Sequence, residues 1–107
     1  MTPNEVNSLR MIEKNGGVTK RQLAPLVGIT TEYAAYLLEC LEGEGYIDKV
    51  DKGIFSVAPK GIDSLIVQLL QIENKLKARI EWCSKEFERM EQEINRLIDH
   101  RASLVAT

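Results

Sequence analysis

The chain of 107 residues has few of the side chains from which metal sites are usually built. It contains one histidine, His100, and two cysteines, Cys40 and Cys83, which lie far apart and form no CxxC pair. Because a metal site needs several closely placed ligands, we predict neither a metal nor a cofactor. The sequence also has no glycine-rich phosphate loop and no recognisable catalytic set. We therefore predict that the protein is not an enzyme.

Long apolar runs and an excess of positive charge are also missing. No run approaches the roughly 18 apolar residues of a membrane-spanning helix, and the N-terminus has no signal-peptide pattern. These absences predict a cytoplasmic protein with no membrane partner.

Lysine and arginine number 14 against 16 acidic residues, which gives a net charge of -2. This balance is unusual for a protein that binds nucleic acid, since phosphate contacts supply much of the affinity.

Start and stop signals divide the first part of the chain into short helices. The first is predicted to open at Pro3 and to stop at the Asn-Gly-Gly sequence of residues 15–17. Thr19 and Gln22 form a capping box that opens a second helix. Gly28 ends that helix. Pro25 lies inside it, and we expect a distorted or partly 3₁₀ helix there because proline has no backbone donor.

A third helix and a hairpin follow. Thr30 or Thr31 is the predicted N-cap of the third helix, whose apolar stripe ends near Gly43. Residues 46–50 and 54–58 form two predicted strands. The Asp-Lys-Gly turn of residues 51–53 joins them, which makes the hairpin very short.

From Pro59 onward, the pattern changes to one uninterrupted helix, because neither proline nor glycine occurs after Gly61. Apolar residues recur at steps of three and four, with one extra step of four, as in a coiled coil. Between residues 62 and 104 such a helix is about 65 Å long. A small domain cannot cover it, so we predict pairing with a second copy; the alternative is that its first turns fold back on the chain's own domain. The predicted dimerisation stripe consists of Leu65, Leu69, Ile72, Leu76, Ile80, Cys83, Phe87, Met90, Ile94, Leu97 and Leu104.

Three segments carry a resemblance to a known fold. Residues 18–30 (VTKRQLAPLVGIT) resemble a capped helix and turn that precede a recognition helix, residues 37–47 (LLECLEGEGYI) resemble the end of that helix, and residues 55–61 (FSVAPKG) resemble the return strand of a wing. Together they are similar to winged helix-turn-helix regulators of the MarR-like and PadR-like kinds. The resemblance implies a mainly α fold with a small β-hairpin: a winged-helix domain over residues 1–58 and one long coiled-coil dimerisation helix over residues 59–107.

The resemblance also implies a function, that of a dimeric DNA-binding protein and transcriptional regulator. Its third helix is expected to enter the major groove of double-stranded DNA. Basic residues at the start of the second helix and on the hairpin are expected to hold phosphates. The predicted DNA-binding residues are Lys20, Arg21, Thr30, Thr31, Glu32, Ala35, Tyr36, Lys49 and Lys52.

A second function stays open on the residues of the third helix. No lysine or arginine lies between Arg21 and Lys49, and Glu32 and Glu39 lie on the helix face that would meet DNA. Carboxylates repel the phosphate backbone. The alternative is therefore an adaptor that dimerises through its coiled coil and binds a protein partner with the third helix.

Overall fold

A computed structural model describes residues 1–79 and 84–106 of the chain. These residues fall into two compact units, Met1–Gly61 and Ile62–Thr107. In the described part, no helix is long and apolar enough to cross a membrane. The helices and strands follow in the order α1 (Pro3–Asn15), α2 (Lys20–Val27), α3 (Thr31–Gly43), β1 (Ile47–Asp51), β2 (Ile54–Val57), α4 (Pro59–Arg79) and α5 (Ser84–Ala106).

Capping boxes open the first two helices. At α2, the Gln22 backbone amide donates to the Thr19 hydroxyl over 3.2 Å, and the Thr19 amide donates to the Gln22 side chain over 2.9 Å. This confirms the capping box read from the sequence. Thr2 and Glu5 form the same motif at α1, and the hydrogen bond from the Thr2 backbone lowers the pKa of Glu5. Contrary to expectation, α2 is α-helical throughout despite Pro25, which is exposed near its end.

Thr30 is the N-cap of α3, which decides between the two threonines that the sequence allowed. Its hydroxyl accepts a hydrogen bond of 3.1 Å from the Tyr33 backbone amide. Thr31 is the first helical residue. The inward stripe of α3 is buried with side chains of the other two helices, so α3 is fixed on one face and presents the other outward. The buried stripe consists of Ala34, Leu37, Leu38 and Leu41.

The hairpin is antiparallel and is tied to the segment that precedes α2. Lys49 pairs with Phe55, and the register then shifts before Asp51 pairs with Ile54. Phe55 also forms a bridge with Val18, with backbone hydrogen bonds of 2.9 and 2.8 Å in the two directions. Phe55 therefore has paired backbone on both sides, which fixes the hairpin relative to α2.

The start of α4 packs against the backbone of Tyr46, between α3 and β1. The Ala58 amide donates to the Tyr46 carbonyl over 2.9 Å. A Cβ atom placed on Gly61 would lie 2.1 Å from the same carbonyl oxygen and 2.9 Å from a methyl group of Val57. Lys60 donates to the Glu44 carbonyl over 2.5 Å, and its ammonium lies 5.0 Å from the centre of the Tyr46 ring. This contact satisfies a carbonyl at the end of α3.

In the second unit, α4 and α5 run antiparallel to each other. Asp63, near the start of α4, is ion-paired with Arg101, near the end of α5. Lys77, near the end of α4, lies 5.0 Å from the ring centre of Phe87, near the start of α5. In one straight helix, Asp63 and Arg101 would be about 57 Å apart. The structure therefore corrects the prediction of one uninterrupted helix from Pro59 onward. This segment contains α4 and α5, of which α5 is a long final helix.

The predicted dimerisation stripe, or heptad stripe, is partly covered within the single chain. Leu65, Leu69 and Leu97 have no exposed surface, and Ile94 is 7% exposed. Ile80 and Cys83 lie outside the described residues. Dimerisation through this stripe stays a prediction. The half-buried members of the stripe are Ile72, Leu76, Phe87, Met90 and Leu104.

Candidate nucleic-acid interface

A groove of about 430 Å³ crosses the first unit between the start of α2, the outer side of α3 and the hairpin. We call it the α3–hairpin groove. It gathers residues from three segments that are far apart in the sequence. Its lining residues are Thr19, Lys20, Arg21, Ala35, Leu38, Glu39, Glu42, Lys49, Gly53 and Phe55.

The α2 side of the groove is cationic. Lys20 and Arg21 are the first two helical residues after the Thr19 cap, and both are exposed. The start of a helix carries unpaired backbone amides and the positive end of the helix dipole. Two cationic side chains at such a terminus add to its attraction for anions, phosphate among them.

The hairpin side of the groove carries a third cation. The ammonium of Lys49 lies 5.8 Å from the ring centre of Phe55, its partner across the two strands. The apolar stem and ring support the charge without neutralising it. Lys52 lies at the tip of the hairpin, where its amide donates to the Asp51 carboxylate over 2.7 Å. It is exposed but does not line the groove.

The outward face of α3 is acidic and aromatic. Glu32, Tyr36 and Glu39 are exposed, and Ala35 is half-buried. Tyr36 stacks on Tyr33 with ring centres 6.1 Å apart. A hydrogen bond between the Tyr36 hydroxyl and the Cys40 thiol raises the pKa of Tyr36.

The structure brings together some of the predicted DNA-binding residues and leaves others apart. Lys20, Arg21, Ala35 and Lys49 line the groove. Of the remainder, Thr30 uses its hydroxyl to cap α3. The contribution of each side chain to DNA binding stays a prediction. The predicted residues that do not line the groove are Thr30, Thr31, Glu32, Tyr36 and Lys52.

Sequence reasoning left several lining residues out of the predicted site. Its spacing placed Glu39 on the outward face of α3, but its presence in one groove with Lys20 and Lys49 depends on how α2 and the hairpin pack. Phe55 gave no signal beyond that of a strand residue. In the described residues, no group of three or more histidine, cysteine, aspartate or glutamate side chains could hold a metal ion.

The fold is similar to that of a solved bacterial regulator. It resembles the multiple antibiotic-resistance repressor MarR from Listeria monocytogenes, with a TM-score of 0.56 and 17% sequence identity. The similarity covers 92% of this chain and 75% of that one. No protein-family model and no curated protein matches the sequence.

At this identity, the likeness to the MarR repressor shows the fold. The chain is mainly helical, with a two-stranded antiparallel hairpin and a long final helix, and it has a winged-helix architecture. The predicted mainly α winged-helix fold with a small β-hairpin is thus confirmed, whereas the coiled-coil pairing stays a prediction. In this architecture, α3 is the second helix of the helix-turn-helix and the β1–β2 hairpin is the wing, so the α3–hairpin groove lies between them.

Proposed function

We propose that this protein is a winged-helix transcriptional regulator that binds double-stranded DNA as a homodimer. The observation that carries the proposal is the meeting of Lys20, Arg21 and Lys49 in one groove beside α3. Cations on both sides of a recognition helix suit the two phosphate backbones that border a major groove. They supply local positive charge despite the net charge of -2.

Salt dependence of DNA binding tests this proposal. We expect the full chain to bind a labelled duplex with an affinity that falls steeply as salt rises, because bound phosphates release counterions. The variant with Lys20, Arg21 and Lys49 changed to glutamine should bind more weakly. The bound homodimer would lose six cations. The slope of the logarithm of the binding constant against the logarithm of salt concentration should therefore be shallower by up to about 5.4, since each phosphate contact contributes about 0.9. Fluorescence anisotropy at several salt concentrations gives both quantities.

A matched control removes three charges elsewhere. Lys75, Arg79 and Lys85 are exposed residues of α4 and α5, and their change to glutamine lowers the net charge of the protein by the same amount. We expect this variant to keep nearly the full slope. An equal loss of DNA affinity in both variants would mean that binding depends on net charge rather than on the groove. Absence of binding by the wild type at low salt would contradict the proposal.

The homodimer rests on the apolar surface of the second unit. Val67, Leu70, Ile98 and Val105 are between 41% and 61% exposed. Together with the half-buried part of the heptad stripe, they leave apolar side chains exposed on both helices, and clustered apolar surface of this kind marks protein interaction sites. A second copy of the chain would cover this surface and set the spacing of two recognition helices.

Sedimentation velocity of the full chain tests the dimer. We expect the wild type to sediment as a dimer and Ile98→Glu to shift it toward monomer, because a buried unpaired carboxylate is costly at an interface. Gln92→Glu adds the same charge to an exposed polar position of α5 and should leave the dimer intact. A monomeric wild type, or equal effects of the two variants, would argue against this surface.

The adaptor remains the second candidate, and one observation favours it. Tyr33 and Tyr36 are exposed by 39% and 59% and stack on each other on the outer side of α3. Exposed aromatic pairs are typical of protein interfaces. If DNA is not bound at low salt, the outward face of α3 becomes the surface on which to seek a protein partner.

A further inference from the structure

The α3–hairpin groove contains charges of both signs that do not neutralise one another. Glu39 and Glu42 line it from α3, and Lys20, Arg21 and Lys49 line it from α2 and the hairpin. In the part of the chain that the structure describes, no ion pair joins either carboxylate to any of these cations. Both carboxylates are exposed. A ligand that fits this groove must therefore offer acceptors to the cations and donors to the carboxylates.

Duplex DNA offers both, and its donors are specific. An ionised carboxylate only accepts hydrogen bonds. In the major groove, guanine presents two acceptors and thymine presents one acceptor, so neither satisfies a carboxylate. Adenine presents a donor next to an acceptor, whereas cytosine presents its N4 amino group without a neighbouring acceptor. Cytosine is thus the base that a carboxylate on a recognition helix prefers.

The position of Glu39 distinguishes it from the other carboxylates of α3. It lies one helical turn after Ala35, whose small side chain also lines the groove and leaves room for a base edge. Glu32, which is among the predicted DNA-binding residues, does not line the groove. Glu42 lies close to the C-terminal end of α3 at Gly43, farther from the N-terminal part of the helix that usually contacts bases.

We propose that Glu39 is a specificity-determining residue: its carboxylate accepts a hydrogen bond from the N4 amino group of a cytosine in the major groove. The phosphates on either side of this cytosine are bound by Lys20, Arg21 and Lys49. These cations offset the repulsion between Glu39 and the DNA backbone. This inference rests on the proposed DNA-binding function. It also gives the acidic face of α3 a role in that function, since the carboxylate excludes sites that present only acceptors.

Selection from a random duplex library tests the inference with the full chain. The wild type should enrich sites with cytosine at one fixed position. Glu39→Gln should shift the preference at that position toward adenine, because a glutamine amide pairs with the N6 and N7 atoms of adenine. The ratio of the affinities for the cytosine-containing and adenine-containing sites should change by about five- to 150-fold. Glu44→Gln removes the same charge at the C-cap of α3, outside the groove, and should leave the preference unchanged.

Modified cytosine gives an independent readout. At the selected position, N4-methylcytosine lacks the free amino hydrogen, whereas 5-methylcytosine keeps it. Wild-type affinity should fall with N4-methylcytosine and should be retained with 5-methylcytosine. Circular dichroism should show that Glu39→Gln is folded. If the wild type binds DNA but Glu39→Gln raises affinity equally for every sequence, the inference is wrong while the proposed function stands. If the wild type binds no DNA at low salt, the proposed function itself fails.

Discussion

Gly61→Ala is expected to destabilise the first unit by about 1–3 kcal/mol or more. Alanine normally stabilises a helix relative to glycine by up to about 1 kcal/mol, and Gly61 lies in the first turn of α4. Here the added Cβ would lie 2.1 Å from the Tyr46 carbonyl oxygen. That atom belongs to the backbone and already accepts a hydrogen bond from Ala58. The methyl group therefore fits only if the start of α4 moves away.

Urea denaturation followed by circular dichroism measures this effect. Gly43→Ala is the matched control, because Gly43 is also helical and a Cβ placed on it meets no atom within 4 Å. We expect the control to be neutral or slightly stabilising. Similar stabilities for the two variants would contradict the close packing of α4 against Tyr46.

Leu97→Ala is expected to cost about 2–5 kcal/mol through the loss of buried apolar surface and the cavity left behind. Leu97 has no exposed surface within a single chain. Its contribution should therefore be the same at low and high protein concentration. If the heptad stripe were covered only by a second copy, the loss of stability would instead vary with protein concentration, because the stability of a dimer depends on that concentration.

Denaturation at two protein concentrations separates these cases. Ile98→Ala is the control, since this neighbouring side chain is 49% exposed and its truncation should cost less than about 1 kcal/mol in the monomer. A small effect of Leu97→Ala at low concentration would argue against the antiparallel packing of α4 and α5. The pair of variants also separates folding of the chain from dimerisation, to which Ile98 is assigned.

Local features of the fold could be predicted from the sequence because their causes are local. The Thr19–Gln22 capping box depends on residues three positions apart, and Gly53 supplies the positive φ of 68° at the hairpin tip. Apolar spacing likewise identified the inward stripe of α3. In these cases the interacting groups belong to one or two turns of chain, so their arrangement does not depend on the rest of the molecule.

The candidate site was predictable only in part. The cations at the start of α2 and on the hairpin were found from their positions in predicted elements. Their meeting with Glu39 was not, because it depends on the bridge between Val18 and Phe55 that holds the hairpin beside α2. Lys60 differs from the cations of the groove. It lies beside the predicted wing, but its ammonium donates to the Glu44 carbonyl and contacts the Tyr46 ring.

The sequence by itself determined that the first unit is built from capped helices and a hairpin, and that the remainder is helical with one apolar stripe. Only the tertiary structure decided what covers that stripe. Heptad spacing defines the face that a helix must bury, but the same face can pack on a second copy or on a later segment of its own chain. The ion pair between Asp63 and Arg101 shows that α5 runs back along α4. The predicted single helix is therefore two helices, and Leu65, Leu69 and Leu97 are buried within one chain.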